Sequence, residues 1–433
     1  MSNIFNKFIF YLFALGPFVA FVTTKFWDMN FYNVMTAFVY FAFILQYAEI
    51  TGQHKKYNFP KYAIYLLLFI IYTIISDIIL AGKSINIKYF YTNRLMPGLL
   101  ILLIVENAVI TKKFIKPFLR VNIIIIIIAF IVIMYQQLVD NTFFVDLTNN
   151  SAVSFIFNQK SYNTRPPSIY SWIGMLEISF GFVSIVSVVI SIDFLKKKKI
   201  TIILFWLLLA NLYSFISKSR YTMINTLILF AMYPIYIKTK LNSYIKYVIV
   251  SGFLLYGGLI LLNNYGIPVL KVIQDRILEE NTGGFATGTA GSRIVSAIVF
   301  LKLYPEHPIF GKGYLHTFDK YTNKDTELTR ELAGRSSQIH IGYLSLLYYY
   351  GFIGAIIFIL FLYHLMKKLK REAKESHFWG AFFAFLGFVL ANFTLVTFTV
   401  FWSGLIVSLI FHKYYFIENS EKQLSTANEN KIL

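Results

Sequence analysis

The chain contains no cysteine, which excludes a disulfide framework, a thiolate metal site and a cysteine nucleophile. Acidic residues are scarce, 21 Asp and Glu against 40 Lys and Arg, leaving a formal charge of +19. Charged residues make up only 14% of the 433 positions, too few to clothe a water-soluble surface. No stretch reads as a separate soluble domain. The N-terminus is a handful of residues, and the cytoplasmic tail 413–433 is short, polar and expected to be disordered. The first apolar run lacks a small-residue cleavage site and reads as a retained helix rather than a signal peptide.

What the sequence has in abundance is apolar length. Hydrophobic residues account for 57% of the chain, and mean hydropathy is +0.61. Apolar runs recur along the whole sequence, most of them long enough to cross a hydrocarbon core about 30 Å thick as a helix. Spans are expected near 5–22, 31–50, 62–82, 95–111, 121–139, 169–193, 200–216, 221–237, 244–262, 340–364, 379–396 and 397–412. The fold expected is therefore all-α: one polytopic membrane domain over 1–433, with about twelve transmembrane helices. The last pair is also compatible with one bent re-entrant unit. The 31 Tyr and 45 Phe fit interfacial belts and helix packing.

Basic residues set the expected orientation. Lys55-Lys56, Lys112-Lys113, Lys196 to Lys199, Lys238, Lys240 and Lys367-Lys368-Lys370-Arg371 alternate with loops that carry few, such as those of Lys25, Lys83 and Lys218. The positive-inside rule puts the first set and both termini in the cytoplasm, in a multi-pass protein of the cytoplasmic membrane. The positive charge is then a topology signal and an attraction to anionic membrane lipids. A nucleic-acid footprint is not indicated, because no basic cluster is interleaved with aromatics on a soluble face.

The long polar, glycine-punctuated segment 263–339 faces outward on this topology, as a large extracytoplasmic loop containing amphipathic helices. Four basic residues gather on that side. Arg165 precedes Pro166-Pro167, which fix its backbone. Arg220 ends the tight connection Ser217-Lys218-Ser219-Arg220. Arg293 follows Gly288-Thr289-Ala290-Gly291-Ser292 and opens an amphipathic run from Ile294 to Tyr304. His340 stands at the mouth of the tenth span. Taken singly, an arginine at a helix mouth snorkels to phosphate headgroups and an interfacial histidine caps a polar group. Together on one side they match what a diphosphate-linked lipid requires: forked phosphate donors and a proton acceptor.

Other residues carry weaker signals. Pro308, Gly311 and Gly313 are expected to turn the chain back toward the membrane and let backbone approach a ligand. His307, in the same turn, is an accessory candidate, set against an ordinary surface histidine. Gly351 and Gly354 read as close helix packing. Glu177, near the middle of the sixth span, is an intramembrane carboxylate and hence either a substrate-side group or a buried partner. Asp77 and Glu106 lie nearer span ends, where the interface is within reach. Asp325-Thr326-Glu327 has carboxylate spacing reminiscent of a metal clamp but reads better as solvated loop. Arginines can neutralise a diphosphate alone, so no metal or other cofactor is expected.

Ser292-Arg293, an apolar helix, then Glu306-His307-Pro308-Ile309-Phe310-Gly311-Lys312-Gly313, resembles the signature of the O-antigen ligase and polymerase superfamily. His340-Ile341-Gly342-Tyr343-Leu344 and Tyr350-Gly351-Phe352-Ile353-Gly354 extend the resemblance, with Ser219-Arg220 and, more loosely, Arg165 as further elements. It covers the topology of nearly the whole chain and is specific over 292–354. Ile341 departs from the pattern, since many relatives carry Asn or Ser after the histidine. The resemblance implies an all-helical glycosyltransferase C fold in a bacterial enzyme. Such enzymes move a sugar chain from undecaprenyl diphosphate to an acceptor, for O-antigen or capsule. The partners implied are undecaprenyl-diphosphate-linked oligosaccharides, a chain-length regulator and a flippase.

Within that reading, His340 takes a proton from the acceptor, while Arg293, Arg220 and Arg165 hold the diphosphate. A polymerase joining repeat units comes first, and a ligase delivering finished polymer second. A flippase of lipid-linked sugar is disfavoured, because transporters commonly show internal repeats and none is visible here.

Overall fold

A computed structural model describes residues 2–79, 94–147, 166–173, 175–217, 226, 241–264, 288–313, 327–328, 331–332, 339, 341–393 and 398–432. Among the described residues the architecture is all-helical, with no strand. The expected eighth span, apart from Thr226, lies outside them, as does most of the loop 263–339.

The helices are α1 (Ser2–Ala14), α2 (Gly16–Trp27), α3 (Phe31–Gly52), α4 (Lys61–Ile79), α5 (Leu95–Asn107), α6 (Lys112–Leu138) and α7 (Met175–Leu195). There follow α8 (Ile200–Ser217), α9 (Leu241–Asn264), α10 (Gly288–Leu303), α11 (Gly342–Ser376), α12 (Gly380–Ala391) and α13 (Ser403–Ile432). Four of these, α3, α4, α6 and α11, are long and apolar enough to cross a membrane. A fifth is counted if the bent pair α1–α2 is one span. Other apolar stretches, among them α5 and α12, are shorter.

Three expectations are corrected. The run 5–22 is not one helix but two, α1 and α2, bent by 84°. Pro17 explains the break: it has no N–H to give the preceding turn, and its ring clashes with the carbonyl four residues back, whereas it suits the first turn of a new helix. The tail 413–433 is not disordered, because α13 runs on to Ile432. Glu, Lys, Gln, Leu and Ala in that stretch favour helix, and Asn419 donates to the Ser376 carbonyl at 2.6 Å. Glu177 is the third residue of α7, not mid-helix, because the 3₁₀ turn Ser168–Trp172 takes up the start of the expected span.

The bundle mixes antiparallel neighbours, such as α4 and α11, with parallel ones, such as α3 and α5. α4 lies along α11, α3 along α5, and α7 against α8, α12 and α13. α5 is buried from Leu95 to Val105 and forms the interior. One end of the bundle holds Phe13, Phe31 and Phe401, whose rings meet at 5.5–6.5 Å. The opposite end holds a polar cluster. There Lys368 pairs with Glu106 and lies 3.8 Å from Glu372, whose other oxygen is 3.0 Å from His412 Nε2. Asn58 donates to Glu106 at 3.1 Å, and Tyr62 at 3.4 Å. Glu106 is therefore paired within the protein instead of reaching the interface, and Asp77 is buried.

Candidate functional site

The segment after α10 is spliced into α11. Gly351 has φ 62° and ψ −169°, values that interrupt the helix there. In an unbroken helix the N–H groups of Phe352 and Ile353 would bond the carbonyls of Tyr348 and Tyr349. Instead Phe352 N–H donates to Pro308 O at 2.9 Å and Ile353 N–H to Ile309 O at 3.2 Å. The two carbonyls thus released accept from Lys312 N–H at 3.1 Å and Gly313 N–H at 2.8 Å. Four backbone groups orphaned by the break are satisfied by four groups of one loop, as burial in an apolar bundle demands.

Glycine is required on both sides of this splice. Gly311 and Gly313 have φ of 76° and 81°, which L side chains rarely adopt. A Cβ on Gly311 would lie within 2.4 Å of Gly351 N, and one on Gly351 within 2.3 Å of Ile309 O, both unyielding backbone atoms. The backbone approached closely is thus α11, not a ligand, and Gly351 serves a loop rather than helix packing. Gly354 does match the packing expectation, since a Cβ there would come within 2.8 Å of the Tyr72 ring of α4. The Tyr72 hydroxyl lies 2.9 Å from Phe310 O and 3.0 Å from Tyr350 O, so α4 clasps both halves.

Arg293 sits in α10, half-buried, one turn from the glycines that the helix unexpectedly includes from Gly288. Val295, Ser296, Val299, Phe300 and Leu303 bury one face of α10, which packs on α11. His307 opens the spliced loop with its side chain exposed, and its carbonyl accepts from Gly311 N–H at 3.0 Å. What His307 contributes to the splice is backbone. His340, Arg220 and Arg165 lie outside the described residues, as do Asp325 and Thr326; the side chain of Glu177 does too.

Described residues that neighbour His340, Arg220 and Arg165 in sequence are held by burial and hydrogen bonds. Ile339 is fully buried, and Ile341 is the N-terminal cap residue of α11. Tyr343 N–H donates to Asn392 O at 3.1 Å and Tyr343 Oη to Val389 O at 2.9 Å, tying the start of α11 to the end of α12. Ser214 and Thr226, which bracket Arg220 in sequence, share a hydroxyl hydrogen bond of 2.7 Å. Ser168, just after Arg165, exchanges two bonds with Gln136 of α6, at 2.7 and 3.2 Å. So α10 and α11, the elements that carry Arg293 and follow His340, are locked together by the splice. Tyr72 and Arg94 were not singled out in the sequence. Tyr72 leaves no local signal, whereas Arg94 is visible as the basic residue before the apolar run of α5.

Residues 203–359 match a protein family described as O-antigen ligase. The matched span takes in Arg220, Arg293, the spliced loop, His340 and Gly351. Members of the family are glycosyltransferase-like ligases and polymerases. A search of curated proteins returns no match. The resemblance drawn from residues 292–354 is upheld by the match over 203–359, which supports the O-antigen ligase and polymerase superfamily.

Proposed function

We propose that this protein belongs to the O-antigen ligase and polymerase superfamily and is a polymerase. It would join undecaprenyl-diphosphate-linked oligosaccharide repeats at the outer face of the cytoplasmic membrane. The observation that carries the reading is the family match over 203–359, because that one span contains Arg220, Arg293, His307 and His340. The acceptor hydroxyl attacks the anomeric carbon of the donor chain as His340 removes its proton. The bond from that carbon to the diphosphate oxygen breaks, and its electron pair leaves with the diphosphate. Arg293, Arg220 and Arg165 hold the leaving group and stabilise its charge, with no metal needed. Direct displacement inverts the anomeric configuration.

The placement of lysines supports the orientation. Lys55, Lys112, Lys196 to Lys199 and Lys368 fall at the end of the bundle that holds the Glu106–Lys368 pair, away from Arg94 and the start of α11. By the positive-inside rule that end faces the cytoplasm, as do both termini. A chain-length regulator and a flippase are proposed partners.

The description of the matched family as O-antigen ligase favours a second reading, delivery of finished polymer to another acceptor. The products of a deletion strain separate the two. Single-repeat products are expected of a missing polymerase, and unattached long polymer of a missing ligase; an unchanged surface polysaccharide would contradict both.

A further inference from the structure

The turn in the spliced loop stands below the membrane surface, and two helices measure its depth. Tyr72 of α4 bonds Phe310 O and Tyr350 O, beside Gly351. At about 1.5 Å per helical residue, Tyr72 stands roughly 16 Å beyond Lys61, the exposed residue that opens α4. Lys61 adjoins Tyr62, whose ring lies 5.3 Å from Lys368 Nζ at the lysine-rich end. By the same rise, Gly351 stands roughly 24 Å beyond Lys367 of α11. A hydrocarbon core is about 30 Å thick, so the turn lies about 6–14 Å beneath its far edge. Tilting either helix only deepens it. The side chains of α4 agree. Ile75, Ile78 and Ile79, all past Tyr72, are exposed, so lipid-facing helix continues beyond the level of the turn.

At that depth the turn is open. Residues 305–310 are all exposed, Ile309 by 55% and Phe310 by 57%. The bond from Gly311 N–H to His307 O closes a single helical turn, in which the enclosed N–H groups point one way. Pro308 has none to give. The N–H groups of Ile309 and Phe310 find no acceptor among the described residues. Hydrocarbon does not tolerate such groups: irregular backbone at membrane depth is either buried in protein or lines a water-filled cavity. The exposure of this turn excludes the first.

We propose that residues 305–310 line a water-filled vestibule that opens to the outer face, reaches below the headgroups and holds the diphosphate of the lipid-linked donor. The donor's place in it rests on the glycosyl-transfer reading above. Two N–H groups aimed one way suit the oxygens of a phosphate. An ordinary phospholipid keeps its phosphate in the headgroup layer above the turn, whereas the donor is the lipid whose diphosphate the protein must take up.

The cysteine-free chain allows a direct test. In intact cells, an impermeant thiol reagent should label His307→Cys and Ile309→Cys from outside, as it labels Phe285→Cys in the outer loop. Both replaced side chains are exposed, so neither change should disturb folding. Ile75→Cys, on the lipid-facing side of α4, should stay unlabelled. Labelling of Phe285→Cys without either turn variant removes the vestibule. Equal labelling of Ile75→Cys means that open water surrounds the bundle at this height, and removes it too. In nanodiscs of zwitterionic lipid, undecaprenyl diphosphate at about ten times its dissociation constant should slow the labelling of His307→Cys about tenfold. Binding of this probe without protection overturns the proposal and leaves the glycosyl-transfer reading intact, whereas a parent that does not bind the probe overturns both. Equal protection by phosphatidylglycerol assigns the vestibule to ordinary headgroups and overturns the proposal.

Discussion

Gly351 has no room for a methyl group, because a Cβ there would overlap the backbone of Ile309 and Gly311. Its backbone conformation, φ 62° and ψ −169°, would alone cost an alanine roughly 1–3 kcal/mol, and relieving the overlap means withdrawing the loop from four hydrogen bonds. We expect Gly351→Ala and Gly311→Ala to lower thermal stability and to cut donor turnover at least tenfold, whereas Gly354→Ala, which crowds the Tyr350 and Tyr72 side chains and leaves the four backbone bonds of the splice unobstructed, has a smaller effect on both. A stability scan and a turnover assay on the three variants check this; parental values in Gly351→Ala would mean that the splice is dispensable. Part of this was legible in the sequence. The positive φ of Gly311 and Gly313 follows from the Pro-Gly turn pattern, but their partner is a helix that begins beyond a long loop, and no local pattern encodes such a pairing. His307 shows the opposite case: its residue type suggests chemistry, but its exposed ring and bonded carbonyl tie it to the turn.

At the scale of elements, periodicity and length located α3, α4, α5, α8 and α9 to within a few residues. It missed where others stop. A hydropathy window averages across Pro17 and so merges α1 with α2, and it treats the charged ends of α11 and α13 as loops. Those ends remain helical because α11 and α13 support one another through polar groups. Glu372 of α11 meets His412 of α13, and Asn419 meets Ser376. Lys368 was read as a topology charge, yet it also neutralises Glu106 at the end of α5. Its side chain is 19% exposed and that of Glu106 is 13% exposed, so losing one partner strands a charge with little solvent. Lys368→Ala should cost about 2–3 kcal/mol of stability. Combining Lys368→Met with Glu106→Gln should restore much of that loss. Additive losses in denaturation of the double variant would show that the two residues act independently.

For the whole molecule, the sequence pattern yields an alternation of apolar runs and basic loops, and the described helices form one bundle that gathers Lys55, Lys112 and Lys368 toward one end. Cysteine-free sequence makes the orientation directly testable. With an impermeant thiol reagent on intact cells, Phe285→Cys should be labelled and Lys197→Cys should not; labelling of both from outside would overturn the orientation and the outward site with it.

Candidate site residues can be named from the sequence because arginine and histidine chemistry is local. How they come together cannot be read there, because it depends on which helices the splice and the Tyr72 clasp bring together. The central claim, glycosyl transfer from a lipid-diphosphate donor, is tested most directly with the purified chain in vesicles that contain only undecaprenyl-diphosphate-linked repeat units. The parent should convert them to longer lipid-linked chains and release one undecaprenyl diphosphate per bond formed. Arg293→Ala should abolish that release and Arg293→Lys restore part of it, while His340→Ala lowers turnover by roughly 10²–10⁴ with donor binding retained. Unconsumed donor with the parent protein, or parental turnover in both Arg293→Ala and His340→Ala, would contradict the account.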